Sequence, residues 1–229
     1  MKRAKYICFE GIDGVGKTTH INMLASYLER KGYKVYVTKE TDFNNFGLGS
    51  FIKDSILNRE NAKNINNLTR ELIFLSSRVS HYIKINEDIL NNYDYVIQDR
   101  GALSGMVYSA ALGVSSNFIE DLDKTVTREL NRLSPRSDRY LTSLLDIYDL
   151  IVVLDTNNPS WALDRAKRSN TEHRGGDHIE NLGIEFFNEV SRKMHTMAPH
   201  WKTKHILVEK DQTKEQVFSN ILDAISKRL

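Results

Sequence analysis

Gly11-Ile12-Asp13-Gly14-Val15-Gly16-Lys17-Thr18 is the stretch that decides how the rest of the chain reads. It follows the apolar run Tyr6-Ile7-Cys8-Phe9 and opens a helix-patterned segment from Thr19 to Arg30. Strand, glycine-rich turn and helix in that order are the setting of a phosphate-binding loop. Glycines permit a tight turn whose backbone N–H groups converge on a phosphate near the positive end of the following helix. Lys17 then reaches between the β- and γ-phosphates, and the Thr18 hydroxyl is placed to ligate Mg²⁺. The expectation is a nucleoside triphosphate site built from Gly11, Asp13, Gly14, Val15, Gly16, Lys17, Thr18 and Thr19. A glycine-rich turn that only caps an ordinary strand–helix unit is the plainer alternative.

Outward from this loop, strands and helices alternate. Tyr6–Phe9, Lys34–Thr38, Tyr95–Gln98, Leu150–Leu154 and Ile206–Glu209 are short β-branched or aromatic runs and predict five strands. Apolar residues spaced by three and four, as in Ile21, Leu24, Ala25 and Leu28, predict helices between them. The same signal runs over Leu68–Leu90, and over Tyr140–Leu145, Trp161–Ala166, Ile184–Met194 and Val217–Ile225. Near-continuous apolar strands separated by helices predict an α/β fold, a five-stranded parallel sheet covered by helices on both faces. Asn58–Asn67 reads as an exposed loop. Ser169–His178, with Arg174-Gly175-Gly176-Asp177 and no apolar period, reads either as a solvated connection or as a mobile lid that closes over phosphates.

With 229 residues, 40% of them hydrophobic, the chain can enclose one sizeable core, so a single domain over residues 1–229 is expected, with a small lid segment at about 165–178. A formal charge of +2 argues against a nucleic-acid polymer as partner but allows a local cationic pocket. Cys8 lies within the first predicted strand, and one cysteine cannot form a disulfide framework. The basic start, Met1 to Lys5, leads into too few apolar residues for a signal peptide or membrane span, so a cytoplasmic protein is expected.

Ligands of a parallel sheet bind at the carboxyl ends of its strands. Lys39-Glu40-Thr41-Asp42, Asp99-Arg100 and Asp155 all follow predicted strands. Asp99 is suited to share Mg²⁺ with Thr18, and Arg100 to clamp a phosphoryl group. Helix capping by Asp99 beside a surface arginine is the alternative. Phosphoryl transfer needs charge neutralisation more than covalent chemistry, and Arg165, Arg168 and Arg174 are candidates to supply it. Lys17 and Arg100 join them as the catalytic set, with Arg168 the first lid carrier and Arg165 its alternative. No guanine-reading Asn-Lys-x-Asp element follows Lys204, which argues against a switch GTPase, although a P-loop switch without an acceptor stays open. The helix Leu68–Leu90 is placed to wall a second pocket. It is apolar on more than one side, so either a two-fold partner or a larger core covers the surplus.

These residues resemble the thymidylate kinases. The resemblance rests on Phe9 to Thr19, on Leu72-Ile73-Phe74-Leu75-Ser76-Ser77-Arg78, and on Asp99-Arg100 followed by Ser104 and Tyr108. It continues through Leu154-Asp155, Pro159, Arg165 and Arg168 to Asp177-His178-Ile179-Glu180 and Phe186-Phe187. It implies a nucleoside monophosphate kinase fold that moves a phosphoryl group from ATP, with Mg²⁺, to the small-molecule nucleotide dTMP, and a homodimer formed through a helix such as Leu68–Leu90. It also implies roles. Asp13 contacts the sugar hydroxyl, Phe74 stacks on the base, Arg78 donates to the base O4, Arg100 clamps the acceptor phosphate and Tyr108 crowds a 2′-hydroxyl. Phe74 as core filling remains the alternative. Glu40, Ser104 and Ser109 complete the implied substrate set. Gly14 stands where one branch of the family carries a catalytic arginine, so the resemblance is to the branch whose lid supplies it.

Three departures leave the acceptor open. Thr41 replaces a frequent proline, Ser109 is shorter than the glutamine or threonine common there, and Val126–Tyr148 is longer and more basic than expected. Another deoxynucleotide, a modified deoxyuridylate or an unphosphorylated deoxynucleoside therefore stay possible acceptors. His195, His200 and His205 are five residues apart, as are His173 and His178, a spacing that does not align ligands on one helix, so no zinc site is expected.

Overall fold

A computed structural model describes residues 3–40, 48, 52, 56, 64–136, 138–169, 179, 182–199 and 201–227. Within them, β1 (Lys5–Glu10), β2 (Val35–Lys39), β3 (Tyr95–Asp99), β4 (Leu150–Asp155) and β5 (Thr203–Leu207) pair in parallel in the order β2-β3-β1-β4-β5. The helices are α1 (Lys17–Arg30), α2 (Asn67–Lys84), α3 (Ala102–Ala111), α4 (Ser116–Leu133), α5 (Pro159–Ser169), α6 (Gly183–Met197) and α7 (Lys214–Ser226). The expected α/β parallel sheet is present. Its three inner strands are buried almost end to end, as a sheet covered on both faces requires, whereas the edge strands β2 and β5 alternate with exposed positions. Because β1 lies between β3 and β4, the loop at its end opens into the crevice where chain connections leave in opposite directions.

Five elements differ from the sequence reading. β5 begins at Thr203 and ends at Leu207, earlier than Ile206–Glu209, because an edge strand tolerates polar Lys204 and His205. Tyr140–Leu145 is not a helix. The Asp146 carboxylate accepts from Thr142 N, Thr142 Oγ1 and Ser143 N, and the Ser143 hydroxyl accepts from Leu145 N at 3.1 Å, so side chains take the backbone donors a helix would use. Only a 3₁₀ turn, Leu144–Ile147, follows. The long helix Leu68–Leu90 is α2 plus a π-helical turn at Ile85–Ile89, and the change of pitch carries Ile85 and Leu90 into the core. Finally, α3 and α4 appear where no helix was read. α3 is small or apolar on nearly every side and buries Ala102, Leu103, Met106, Val107 and Ala110, which erases any periodic signal. α4 does carry one, in Ile119, Leu122, Val126 and Leu130. Residues 170–178 of the lid expected at about 165–178, including Arg174, and most of the Asn58–Asn67 loop lie outside the described residues.

The basic segment before β4 is structural. Buried Arg136 donates to Ile147 O at 2.5 Å and pairs with Asp138, while Arg139 pairs with Asp149, whose other oxygen accepts from Tyr6 N at 2.7 Å. Lys202 enters from the β5 side and donates to Leu145 O, Tyr148 O and Asp146 Oδ1, each at 3.1 Å. One buried ammonium thus ties three acceptors of the 144–148 turn to the start of β5. Removing it leaves a largely buried carboxylate and two carbonyls without their donor, so Lys202→Met should lower unfolding free energy by about 3 kcal/mol. Urea denaturation of the two proteins measures this, with nucleotide affinity unchanged in the variant.

Candidate functional site

The phosphate-binding loop follows β1 directly, and α1 begins at Lys17 with Gly16 as its N-cap at φ 98° and no side chain capping it. The first N–H groups of α1 are therefore left for a ligand. Gly14 is fixed by close approach as well as by φ 81°: a Cβ there would lie 1.8 Å from Ala162 O in α5. No side chain, arginine included, fits at position 14 with α5 in this place.

Above the loop lies a cleft of about 450 Å³ lined by Asp13, Gly14, Gly16, Lys17, Thr18, Thr19, Lys39, Asp99, Arg100, Arg165 and Ala166. Four cationic side chains face two carboxylates, a balance suited to a polyanion. The Lys17 ammonium donates to Gly11 O at 3.0 Å and Ile12 O at 2.8 Å, and lies 3.8 Å from Asp13. Burial and the nearby Arg100 guanidinium bring it down to about 8, against the pull of Asp13. Burial opposes charge on Asp13 too, but Arg100 and Lys17 hold it down to about 2. Val15 is buried beneath the loop.

Thr18 Oγ1 donates to Asp99 Oδ2 at 3.2 Å, joining the start of α1 to the end of β3. The other oxygen, Asp99 Oδ1, is buried and has no hydrogen-bond partner among the described residues. An unsatisfied carboxylate oxygen beside a threonine hydroxyl is the donor set of a hard divalent cation, so these two residues fit Mg²⁺.

Arg100 follows Asp99 with φ 62°, a left-handed backbone that few non-glycine residues adopt outside special sites. That turn brings its guanidinium to Gly11 O at 3.0 Å, Asp13 Oδ1 at 2.5 Å and Ser104 Oγ at 3.2 Å, and sets it 5.2 Å from the centre of the Tyr108 ring. The Ser104 hydroxyl in turn donates to Glu10, which also accepts from Gly101 N and Ser104 N. Ser104 thus steadies Arg100.

A second cationic centre lies on the α2 side of α3. Buried Arg78 pairs with Glu40 and lies 3.6 Å from Glu71, and Glu71 accepts from the Ser109 hydroxyl. Gly105 lets the guanidinium reach α3, since a Cβ at that position would lie 1.9 Å from an Arg78 nitrogen. Burial pushes the Glu40 carboxyl up to about 7, outweighing Arg78, with Glu10 and Glu71 adding repulsion. Phe74, one turn before Arg78 on α2, is half-buried.

Arg165 and Arg168 separate. Arg165 lines the cleft and stacks 4.9 Å from the Trp161 ring, whereas exposed Arg168 donates to Asp164 O of its own helix at 3.1 Å. Asp155 does not line the cleft and meets His195 and His205 instead. Sequence reasoning overlooked Glu10 and Glu71. Glu10 acts through Gly101 and Ser104, far along the chain, which no spacing rule marks, whereas Glu71 stands two turns before Arg78 on α2, a helical spacing that could have paired them.

The family model described as thymidylate kinase matches residues 9–221. The chain is 28% identical to the thymidylate kinase of Maridesulfovibrio salexigens over 228 residues, 98% of this chain and 96% of that one. It is 32% identical to the thymidylate kinase of Campylobacter fetus over 183 residues, 80% of each. The solved thymidylate kinase of Candida albicans overlays with a TM-score of 0.70 at 19% identity, covering 98% of this chain and 92% of that one, a likeness of fold. A phosphate loop that leads into α1, a helix α3 that carries two arginine contacts and a family match over nearly the whole length agree: the chain belongs to the thymidylate kinase family.

Proposed function

We propose that the protein transfers the γ-phosphoryl group of ATP to the 5′-phosphate of dTMP, giving dTDP and ADP in the cytoplasm, as a single kinase domain whose lid spans about 165–178. The observation that carries this reading is Arg100. Its guanidinium spans from the phosphate loop, at Gly11 and Asp13, to α3, at Ser104 and Tyr108. That is the point where an acceptor phosphate meets a donor phosphate.

The protein's part is placement and charge. Backbone N–H groups of the loop and of the first turn of α1 hold the β-phosphate. Lys17 exchanges the Gly11 and Ile12 carbonyls for β- and γ-oxygens. Thr18 and Asp99 would hold Mg²⁺, which neutralises the charge shared by those phosphates. Arg100 orients the acceptor oxygen in line, a bond forms from it to γ-phosphorus, and the bond to the ADP oxygen breaks. Arg165 faces the same cleft and supports the equatorial oxygens. On the α2 side, Phe74 stacks on the pyrimidine and Arg78, held by Glu40 and Glu71, donates to O4. Arg100, the guanidinium that spans from the loop to α3, favours a phosphorylated acceptor over a bare nucleoside.

A coupled ADP-release assay over dTMP, dUMP, dCMP, dGMP, AMP, hydroxymethyl-dUMP and thymidine tests the assignment. dTMP should give the highest kcat/KM, and Lys17→Ala should lower it by about 10²–10³-fold. Better turnover of thymidine than of dTMP, or an active Lys17→Ala, overturns it.

Between the lid arginines, the cleft favours Arg165. Arg165→Ala should lower kcat about 100-fold with dTMP affinity nearly unchanged, as for a contact made chiefly in the transition state, while Arg168→Ala should fall far less. Steady-state kinetics of both variants decide it, and the opposite ranking rejects Arg165.

We extend the reading to assembly. Leu68 and Leu72, one turn apart on α2, stay 45% and 41% exposed although the core has taken Leu75, Tyr82 and Leu90. A two-fold partner that covers them gives a homodimer. Sedimentation at micromolar concentration should report about twice 26.4 kDa. A monomer mass across that range refutes the dimer alone.

A further inference from the structure

Asp155 closes β4, His205 stands on β5 beside it, and His195 lies in the last turn of α6. His195 and His205 are ten residues apart, each five from His200, a spacing that does not align ligands on one helix. It does not rule out two elements, and the fold brings the rings together. The imidazoles stack with centroids 4.6 Å apart and planes at 10°. Asp155 Oδ2 contacts His195 Nε2 directly and lies 3.8 Å from His205 Nδ1. One donor atom from each of the three residues falls within 4.8 Å of the other two.

The Asp155 carboxylate is also held from behind. Its Oδ1 accepts from Thr156 N at 2.9 Å and from the Ser191 hydroxyl at 3.2 Å, which fixes the group and leaves Oδ2 aimed at the rings. Outer hydrogen bonds of this kind orient metal-ligating carboxylates. Solvent reaches the open side, with the His195 side chain 54% exposed and that of His205 27%, so water can complete a coordination shell. Two imidazoles, one carboxylate and an open position make a donor set for late first-row divalent cations such as Zn²⁺, Co²⁺ or Ni²⁺. It does not suit Mg²⁺, which prefers oxygen ligands.

We propose that Asp155, His195 and His205 form a binding site for a late first-row divalent cation, Zn²⁺ foremost, separate from the phosphate cleft. About 3.3 Å separates neighbouring ligand atoms around tetrahedral zinc, and ligation tilts the exposed His195 ring out of the stack so that its in-plane lone pair converges with that of His205 on the ion. The ion joins β4, β5 and the end of α6 at a point four residues before Pro159, where α5 begins. Its direct effect is to stiffen the root of the helix that carries Arg165.

Untagged full-length protein, stripped with a chelator, is dialysed against Zn²⁺ in the presence of excess Mg²⁺ and without nucleotide. Wild type should retain about one Zn²⁺ per chain and gain several degrees in Tm, because an ion that binds only the folded state stabilises it. Bound Co²⁺ should show the visible absorption of a tetrahedral site. His195→Ala and His205→Ala should each weaken Zn²⁺ binding at least about tenfold, while their metal-free Tm stays near wild type, since both side chains reach solvent. Absence of uptake by wild type overturns the proposal. So does undiminished uptake by the double variant, because the remaining histidines would then hold the ion.

Discussion

A fully buried carboxylate holds the two halves of the catalytic cleft in register. Glu10 ends the central strand with no solvent exposure and accepts from Gly101 N, Ser104 N and the Ser104 hydroxyl. Burial drives its carboxyl upward, and the two Ser104 donors with Arg100 and Lys17 oppose that shift. A buried carboxylate left alone would cost several kcal/mol, so strand and helix are bound to each other by mutual need. The strand delivers the phosphate loop and the helix delivers Ser104, Tyr108 and Ser109. One side chain thus ties the strand that ends in the loop to the helix that faces it.

Charge around the cleft follows the same economy. Each cation has a resting partner that a ligand can replace or share: Lys17 has the loop carbonyls, Arg100 has Asp13, and Arg78 has Glu40 and Glu71. Such pairs keep the side chains in place and avoid the cost of bare buried charge. The exchange of a carbonyl for a phosphate oxygen then needs only short movements, a form of preorganisation.

How much of this the sequence carries depends on range. The phosphate loop is local, eight consecutive residues between a strand and a helix, and its chemistry can be read directly. Asp99-Arg100 is local as well, and both residues reach the cleft. Central strands are legible because burial on two faces leaves an unbroken apolar run. α3 is illegible for the same reason, since a helix buried all round has no polar face to set a period. Glu10 and the joining of His195 to His205 depend on contacts across the sheet or between helices, and no spacing encodes those. The distinction between Arg165 and Arg168 is finer still. It depends on where α5 is seated, and on Trp161 one turn earlier to hold Arg165 in place.

The contact between Gly14 and the Ala162 carbonyl bears on how such a cleft can change over evolutionary time. The loop and α5 touch backbone to backbone, with no room between them for even a methyl group. Gain of an arginine at position 14 is therefore not a one-step change for this chain. The mutation would be rejected until α5 had first shifted outward, and that shift would carry Arg165, which lines the cleft from α5, away from the loop; under the proposed role of Arg165, one cation would leave before its replacement had arrived. Two ways of supplying a transition-state cation are in this sense separated by a valley of impaired intermediates. The glycine is held in place as much by the path away from it as by the turn it makes.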